Sequence, residues 1–399
     1  MNLLRGISLI TIIAILYCSC SKSKTPVTPV PIPILPTLSI LDISHTRDNK
    51  IASAFRFFIS VSSASDKDIK VNYATSDSTA KSGIDYTMVS GTLTIPASQT
   101  LGYVDVSVSG DSLRQPDQTF YLTISNPVNA TIKGSAKAIG TITTNGTYYP
   151  SDSEGYFSPL SYTGYTLAWS DEFNEATINT DVWNYDIGGS GWGNHELEYY
   201  TNSPNNSYLS NGKLVIEARQ ETIGTNNYTS ARMNTSGKKS FQYGRIDMRA
   251  KIPVSHGMWP ALWMLGSNIG TSPWPACGET DIMELVGSSP NRVVGSIHWA
   301  QADGSSGTVN NAYFLNSGDF SLQFHVFSLV WQMNYVQIIV DGIPYMTATN
   351  TSITSGTWPF NAPFFFIFNV AVGGDWPGSP DATTIFPQRM YVDYVRVFQ

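Results

Sequence analysis

The sequence predicts an all-β protein built as two antiparallel sandwiches in series, a smaller one followed by a larger. Three observations carry this expectation. Short runs of alternating apolar and polar residues recur from about Leu38 to the C-terminus, broken by Gly, Asp, Asn and Pro. A period of two sends successive side chains to opposite faces of a strand, so each run has one face to bury. No long stretch shows helical periodicity, and all ten tryptophans begin at Trp169, which splits the chain into two compositions. At 399 residues the chain exceeds one ordinary domain, and 42% apolar against 13% charged residues is core material rather than a disordered composition.

Taken in order, residues 1–20 form an export segment. Met1 to Arg5 supply one positive charge, and Ile7 to Tyr17 is almost wholly apolar yet too short to span a bilayer. The run ends in Cys18-Ser19-Cys20, a small residue before a cysteine, which resembles a bacterial lipoprotein box. That resemblance implies a lipid on Cys20, a membrane-anchored product, and an outer-membrane lipoprotein or a periplasmic or secreted protein. Cys277 is then alone in the mature body, so neither a disulfide framework nor a cysteine metal cluster is expected. Residues 21–37 hold four prolines between Pro26 and Pro33 and read as a semi-rigid spacer.

Residues 38–145 carry strands at 55–61, 70–73, 91–95, 103–108 and 119–124, the spacing of a β-sandwich. The fragment Asp77-Ser78-Thr79-Ala80-Lys81-Ser82-Gly83-Ile84-Asp85-Tyr86, with Gly91-Thr92-Leu93-Thr94-Ile95 and Phe120-Tyr121-Leu122-Thr123-Ile124-Ser125, resembles the Calx-beta domain. Gln115 and Gln118 stand where that family usually has glutamates, so strong calcium binding is not expected there and an accessory role is. Residues 146–163 read as a second linker. Residues 164–399 return to strands at 213–218, 245–252, 326–331, 336–340 and 391–397, with Asp341-Gly342 as a hairpin step. Two stacked sheets of the jelly-roll kind are their natural packing.

The chemistry concentrates in Gly278-Glu279-Thr280-Asp281-Ile282-Met283-Glu284-Leu285. On a regular strand Glu279 and Asp281 share a face and Glu284 falls opposite. One extra residue, a β-bulge near Ile282 or Met283, returns Glu284 to that face. Three close acids cannot all ionise freely, so at least one pKa rises. Glycosidic cleavage needs one ionised and one protonated carboxyl, about 5 Å apart in retaining enzymes. A solvated acidic face or calcium ligation are the bland alternatives. Trp259, Trp263 and Trp299 flank the segment and favour a sugar site, since indoles stack on sugar C–H faces. With a net charge of −7 and no strong basic patch, nucleic acid is not an expected partner; a neutral polysaccharide is.

The acidic run resembles the signature of glycoside hydrolase family 16 in its bulged, laminarinase-like form. So do Gly191-Trp192-Gly193-Asn194-His195-Glu196-Leu197-Glu198-Tyr199-Tyr200-Thr201, Phe241-Gln242-Tyr243-Gly244-Arg245 and Met258-Trp259-Pro260-Ala261-Leu262-Trp263-Met264-Leu265. Phe368-Asn369-Val370-Ala371-Val372-Gly373-Gly374 and Tyr391-Val392-Asp393-Tyr394-Val395-Arg396-Val397 extend it. The resemblance implies a β-jelly roll and a retaining endo-β-1,3-glucanase acting as a monomer. It gives Glu279 as nucleophile, Glu284 as acid/base and Asp281 as the carboxylate tuning the nucleophile. It also implies Asn194, Arg245, Trp259, Trp263 and His298 as residues of the substrate cleft, with Trp259 as a stacking platform. A structural calcium is implied at Glu172 and Gly212, through backbone oxygens, and at the Asp393 side chain, with no cofactor for catalysis. Mixed-linkage glucan or a red-algal galactan is the alternative substrate, and a non-catalytic glucan-binding lipoprotein the alternative of another class.

Overall fold

The computed structural model describes residues 34–48, 51–110, 115–143 and 153–399. The export segment, Cys20 and most of the proline-rich spacer lie outside the described residues. Among those described no helix forms.

The N-terminal body is a sandwich of a four-stranded and a five-stranded sheet. Its strand Ser53–Val61 shows why. Phe55, Phe57, Ile59 and Val61 are buried, while Ala54, Arg56, Phe58 and Ser60 between them are exposed. Phe120 crosses from the facing strand Gln118–Val128, with its ring 5.8 Å from that of Phe57 and stacked 4.6 Å from Tyr86. At one end the buried Arg47 guanidinium meets Asp85 at 2.9 Å and Gln118 at 3.2 Å.

In the C-terminal body a seven-stranded sheet runs in the order Asn184–Asp186, Arg232–Asn234, Phe364–Val372, Met258–Gly266, Glu279–Glu284, Arg292–Ala300, Ser306–Phe314. It packs against an eight-stranded rear sheet centred on Gly244–Lys251, which lies between Gln388–Phe398 and His325–Gln332. The core between the sheets takes Ile246, Met248 and Ala250 from the rear, and Leu262, Met264, Phe366 and Phe368 from the front.

The opposite face of Gly244–Lys251 carries Asp247 and Arg249, yet neither is exposed. Residues 153–163, expected as a spacer, cross that face as a strap. Arg249 donates to the carbonyls of Tyr156 at 2.6 Å and Ser153 at 2.7 Å, and the Phe157 ring lies 3.6 Å from its guanidinium carbon. Tyr162 donates to Asp247 at 2.7 Å, and Ser158 bonds the Tyr394 hydroxyl at 2.8 Å. Gly155 fits because it has φ +121° and a Cβ there would sit 2.0 Å from the Phe324 carbonyl oxygen; only glycine tolerates that approach. The reading of 146–163 as a linker is thus corrected from Ser153 onward: buried rear-sheet charges need partners, and the strap supplies them.

Arg245 is corrected on the same ground. It lies on the rear sheet, donating to Asp247 at 2.9 Å and Ser328 at 3.2 Å beneath the Tyr162 ring, away from the front sheet where the cleft forms.

Candidate active site

The strand Glu279–Glu284 pairs on one side with Met258–Gly266 and on the other with Arg292–Ala300. Glu279 opposes His298, Asp281 opposes Ser296 and Glu284 opposes Val294. Three chain steps from Asp281 to Glu284 therefore match two on the neighbour, which makes one residue extra. The register with the other neighbour skips Ile282. This bulge restores Glu284 to the face of Glu279 and Asp281, and drives Ile282 and Met283 into the core, both fully buried. The bulge expected from the sequence is present at the expected position.

All three acids line one groove of about 370 Å³, together with Trp192, Asn194, Glu196, Arg232, Trp259, Trp263, Trp274 and Asn369. An indole N–H donates to each glutamate: Trp259 to Glu284 Oε1 at 3.0 Å, and Trp274 to Glu279 Oε2 at 2.7 Å. Ser296 Oγ adds a longer bond to Glu284 Oε2 at 3.3 Å. Because an indole can only donate, the proton of a neutral Glu284 sits on Oε2.

Burial is the largest cause that raises the pKa of every member of the triad. Glu284 rises to about 7 and Glu279 to about 8, with repulsion between carboxylates adding to both. Asp281, buried and central, is raised well above its ordinary range, by burial first and then by the charge of Glu284. Those positions belong to the cluster rather than to single residues. The order between the two glutamates turns on Asp281, whose charge is the second cause of the rise at Glu279. A proton on Asp281 removes that repulsion and leaves a donor beside Glu279. The Trp274 indole favours the ionised form of Glu279, as the Trp259 indole and Ser296 hydroxyl favour that of Glu284. His298 Nε2 lies 3.1 Å from Asp281 Oδ2, with Nδ1 2.8 Å from Thr308 Oγ1; the approach to Asp281 does not make a hydrogen bond.

The remaining expected residues divide. Asn194 lines the groove and donates to Glu196 at 3.0 Å. Trp263 lies on the floor with its N–H on Asn369 Oδ1 at 2.8 Å. Trp259 lines the groove too, but its polar edge serves Glu284 and its ring meets Trp376 edge-on at 5.5 Å. His298, expected against substrate, is not among the residues lining the groove; it stands opposite Glu279 on the neighbouring strand, beside Asp281.

The sequence reading missed Arg232, whose guanidinium lies 5.0 Å from the Trp192 ring and 4.8 Å from that of Trp263 and bonds Asp186 at 3.0 Å. It missed Glu196 as well, held by Asn194 and by the Tyr200 hydroxyl at 2.9 Å. Alternation around Ala231-Arg232-Met233, with both neighbours buried, was the available signal for Arg232.

The calcium expected at Glu172, Gly212 and Asp393 does not fit this chain. Asp393, the side chain that would hold it, faces two cations already: Arg249 at 2.7 Å and Lys213 at 3.9 Å. Lys213 is itself buried, so its ammonium needs that carboxylate.

A helix-free two-sheet body whose bulged strand presents three acids to an indole-lined groove is the arrangement of a glycoside hydrolase. The chain belongs to glycosyl hydrolases family 16, whose model matches residues 195–396; the Calx-beta domain model matches residues 42–145. A Beta-glucanase of Rhodothermus marinus is 40% identical over 246 residues, covering 58% of this chain and 85% of that protein. Glucan endo-1,3-beta-glucosidase A1 of Niallia circulans is 39% identical over 263 residues, covering 59% of this chain and 38% of that one. Among solved structures, the laminarinase catalytic domain of Thermotoga maritima superimposes with a TM-score of 0.56 at 47% identity, covering 59% of this chain and 98% of that one.

Proposed function

We propose that the protein hydrolyses internal β-1,3-glucosidic bonds of laminarin-like glucans with retention of configuration. The observation that carries this reading is the bulge at Ile282, which gathers a buried, like-charged triad on the groove side of one strand. Relatives named for endo-1,3-β-glucan cleavage support the substrate. Ionised Glu279 attacks the anomeric carbon while Glu284 delivers its proton to the departing glycosidic oxygen, and a glycosyl ester forms on Glu279. Glu284, now a carboxylate, takes a proton from water. That water attacks the anomeric carbon and releases Glu279. Two inversions give net retention.

The test has two parts. Product release is followed on laminarin, mixed-linkage glucan and a red-algal galactan, and the first-formed anomer is read by proton NMR on the preferred substrate. Laminarin preferred and a β-anomer released first is the expected result. A first-formed α-anomer contradicts the double displacement, and glucan binding without product supports the non-catalytic alternative.

Export and lipidation at Cys20 are proposed on the short apolar run Ile7 to Tyr17 ending in Ser19-Cys20. Mass spectrometry of the mature N-terminus should find a diacylglyceryl cysteine at Cys20 that is lost in Cys20→Ser. An unmodified Cys20 in the mature protein contradicts the anchor.

A further inference from the structure

Residues 267–278 link the strands Met258–Gly266 and Glu279–Glu284 and bring Ile269 and Trp274 to the groove. The ends of this loop are pinned tightly. Gly266 N–H donates to the Gly278 carbonyl at 3.1 Å, and a Cβ on Gly266 would lie 2.1 Å from the Cys277 carbonyl oxygen. Gly278 has φ +83°, and its missing Cβ leaves room for Pro359. Ala276 N–H returns to the Pro273 carbonyl at 2.9 Å, closing the turn that carries Trp274. The indole that results is half exposed, unlike Trp183, Trp299 and Trp331, which fill the core. Hydrophobic burial is therefore not what places it. Its one polar atom lies 2.7 Å from Oε2 of Glu279.

A glutamate that attacks with one oxygen leaves the other to be held. A donor on that second oxygen orients the carboxylate plane. It also stabilises the ionised form, since an N–H bond to a carboxylate is stronger than one to a neutral carboxyl. Burial and Asp281 push Glu279 toward the protonated, unreactive form; His298, facing it from Arg292–Ala300, and Trp274, from the loop, act the other way.

We propose that Trp274 is a positioning residue of the reaction, whose indole N–H holds Oε2 of Glu279 so that Oε1 meets the anomeric carbon. This rests on the reading of Glu279 as the nucleophile. The bland alternative, a sugar-stacking face, needs only the aromatic ring.

Trp274→Phe separates the two, because phenylalanine keeps a ring and loses the donor, at a half-exposed position where folding is not at risk. The donor role predicts that kcat on laminarin falls by about 10–100-fold, the scale of one hydrogen bond to a charged group, with KM within about twofold. The acid limb of kcat/KM should move up by about one pH unit, and labelling of Glu279 by an activated 2-deoxy-2-fluoro-β-laminaribioside should slow in parallel. Trp274→His, which retains a ring N–H, should recover part of the lost rate. A rise in KM with kcat and the acid limb unchanged overturns the proposal in favour of stacking, as does a labelling rate equal to wild type. If the wild-type enzyme is not labelled at Glu279 at all, the assignment of the nucleophile fails instead, and the two failures are told apart on the same peptide map.

Discussion

On the rear sheet, buried charges meet their opposites: Arg249 with Asp393 at 2.7 Å, Arg245 with Asp247 at 2.9 Å, and Arg389 with Glu217 at 2.8 Å. On the front sheet, Glu279, Asp281 and Glu284 meet one another, relieved by His298 and by neutral indole and hydroxyl donors. Both faces bury ionisable groups on neighbouring strands of the same sandwich. Opposite charges settle into fixed ionisation states and hold structure together. Like charges force a proton to be shared, which raises the energy of the fold and leaves a movable proton at neutral pH. The contrast separates a structural network from a reactive one without reference to any relative.

Breaking the comparison on the reactive side should give the largest effect. Glu279→Gln and Glu284→Gln each keep shape and lose the ionisable group, so laminarin turnover should fall by at least about 10²–10⁴-fold while thermal melting stays at or above wild type. A destabilised variant with retained turnover would reverse the assignment of the two faces. On the structural side, Arg249→Met should lose about 3–5 kcal/mol of stability in a denaturant titration, since it removes the closer of the two cations at Asp393 and the donor to the Tyr156 and Ser153 carbonyls, with kcat per folded molecule unchanged. A drop in kcat there would tie the rear network to the groove.

The pH dependence sharpens the contrast further. Glu284 has a folded pKa of about 7 against an ordinary 4.5, so between those values the folded state binds more protons than the unfolded one. Stability then falls as pH rises through that window. Glu284→Gln removes the effect: its melting temperature should match wild type near about pH 4 and exceed it by about 2–4 °C or more near about pH 8, the shift about one kcal/mol gives at this size. A constant difference across the range would show that Glu284 is not raised. The smallest effect is expected from chelation. Because Lys213 and Arg249 satisfy Asp393, excess EDTA should leave the melting temperature within about 1 °C, and a fall of several degrees would restore a structural cation to that corner.

How legible all this was depends on how local each cause is. The triad could be read because its geometry is set within six residues: acids at 279, 281 and 284 share a face only if one residue bulges, and Ile282 and Met283 are apolar enough to be driven inward. The alternating strands of both bodies were legible for the same reason. Arg245 and Arg232 were not told apart, because which sheet a strand joins is decided by partners more than eighty residues away, such as Val330 and Phe398 for Arg245. The indole donors were hidden too. Composition marks tryptophans as apolar or stacking groups, while the direction of one N–H depends on a loop closed by Gly266 and Gly278. The strap looked like a spacer because Ser, Gly and Pro set its composition, and Tyr156, Phe157 and Tyr162 were the overlooked sign that it covers something.

That strap bears on where the hydrolytic body begins. The family's shared pattern starts at residue 195, and the compositional break falls near Trp169, yet Arg249 is capped by carbonyls as far upstream as Ser153. A gene fragment opened at residue 164 would deliver every catalytic side chain while leaving a central guanidinium bare on the far side of the sheet, so poor recovery of such a fragment would report a missing cover rather than a faulty site. Grafting this hydrolase onto another carrier domain should likewise succeed only when the graft point lies ahead of Ser153.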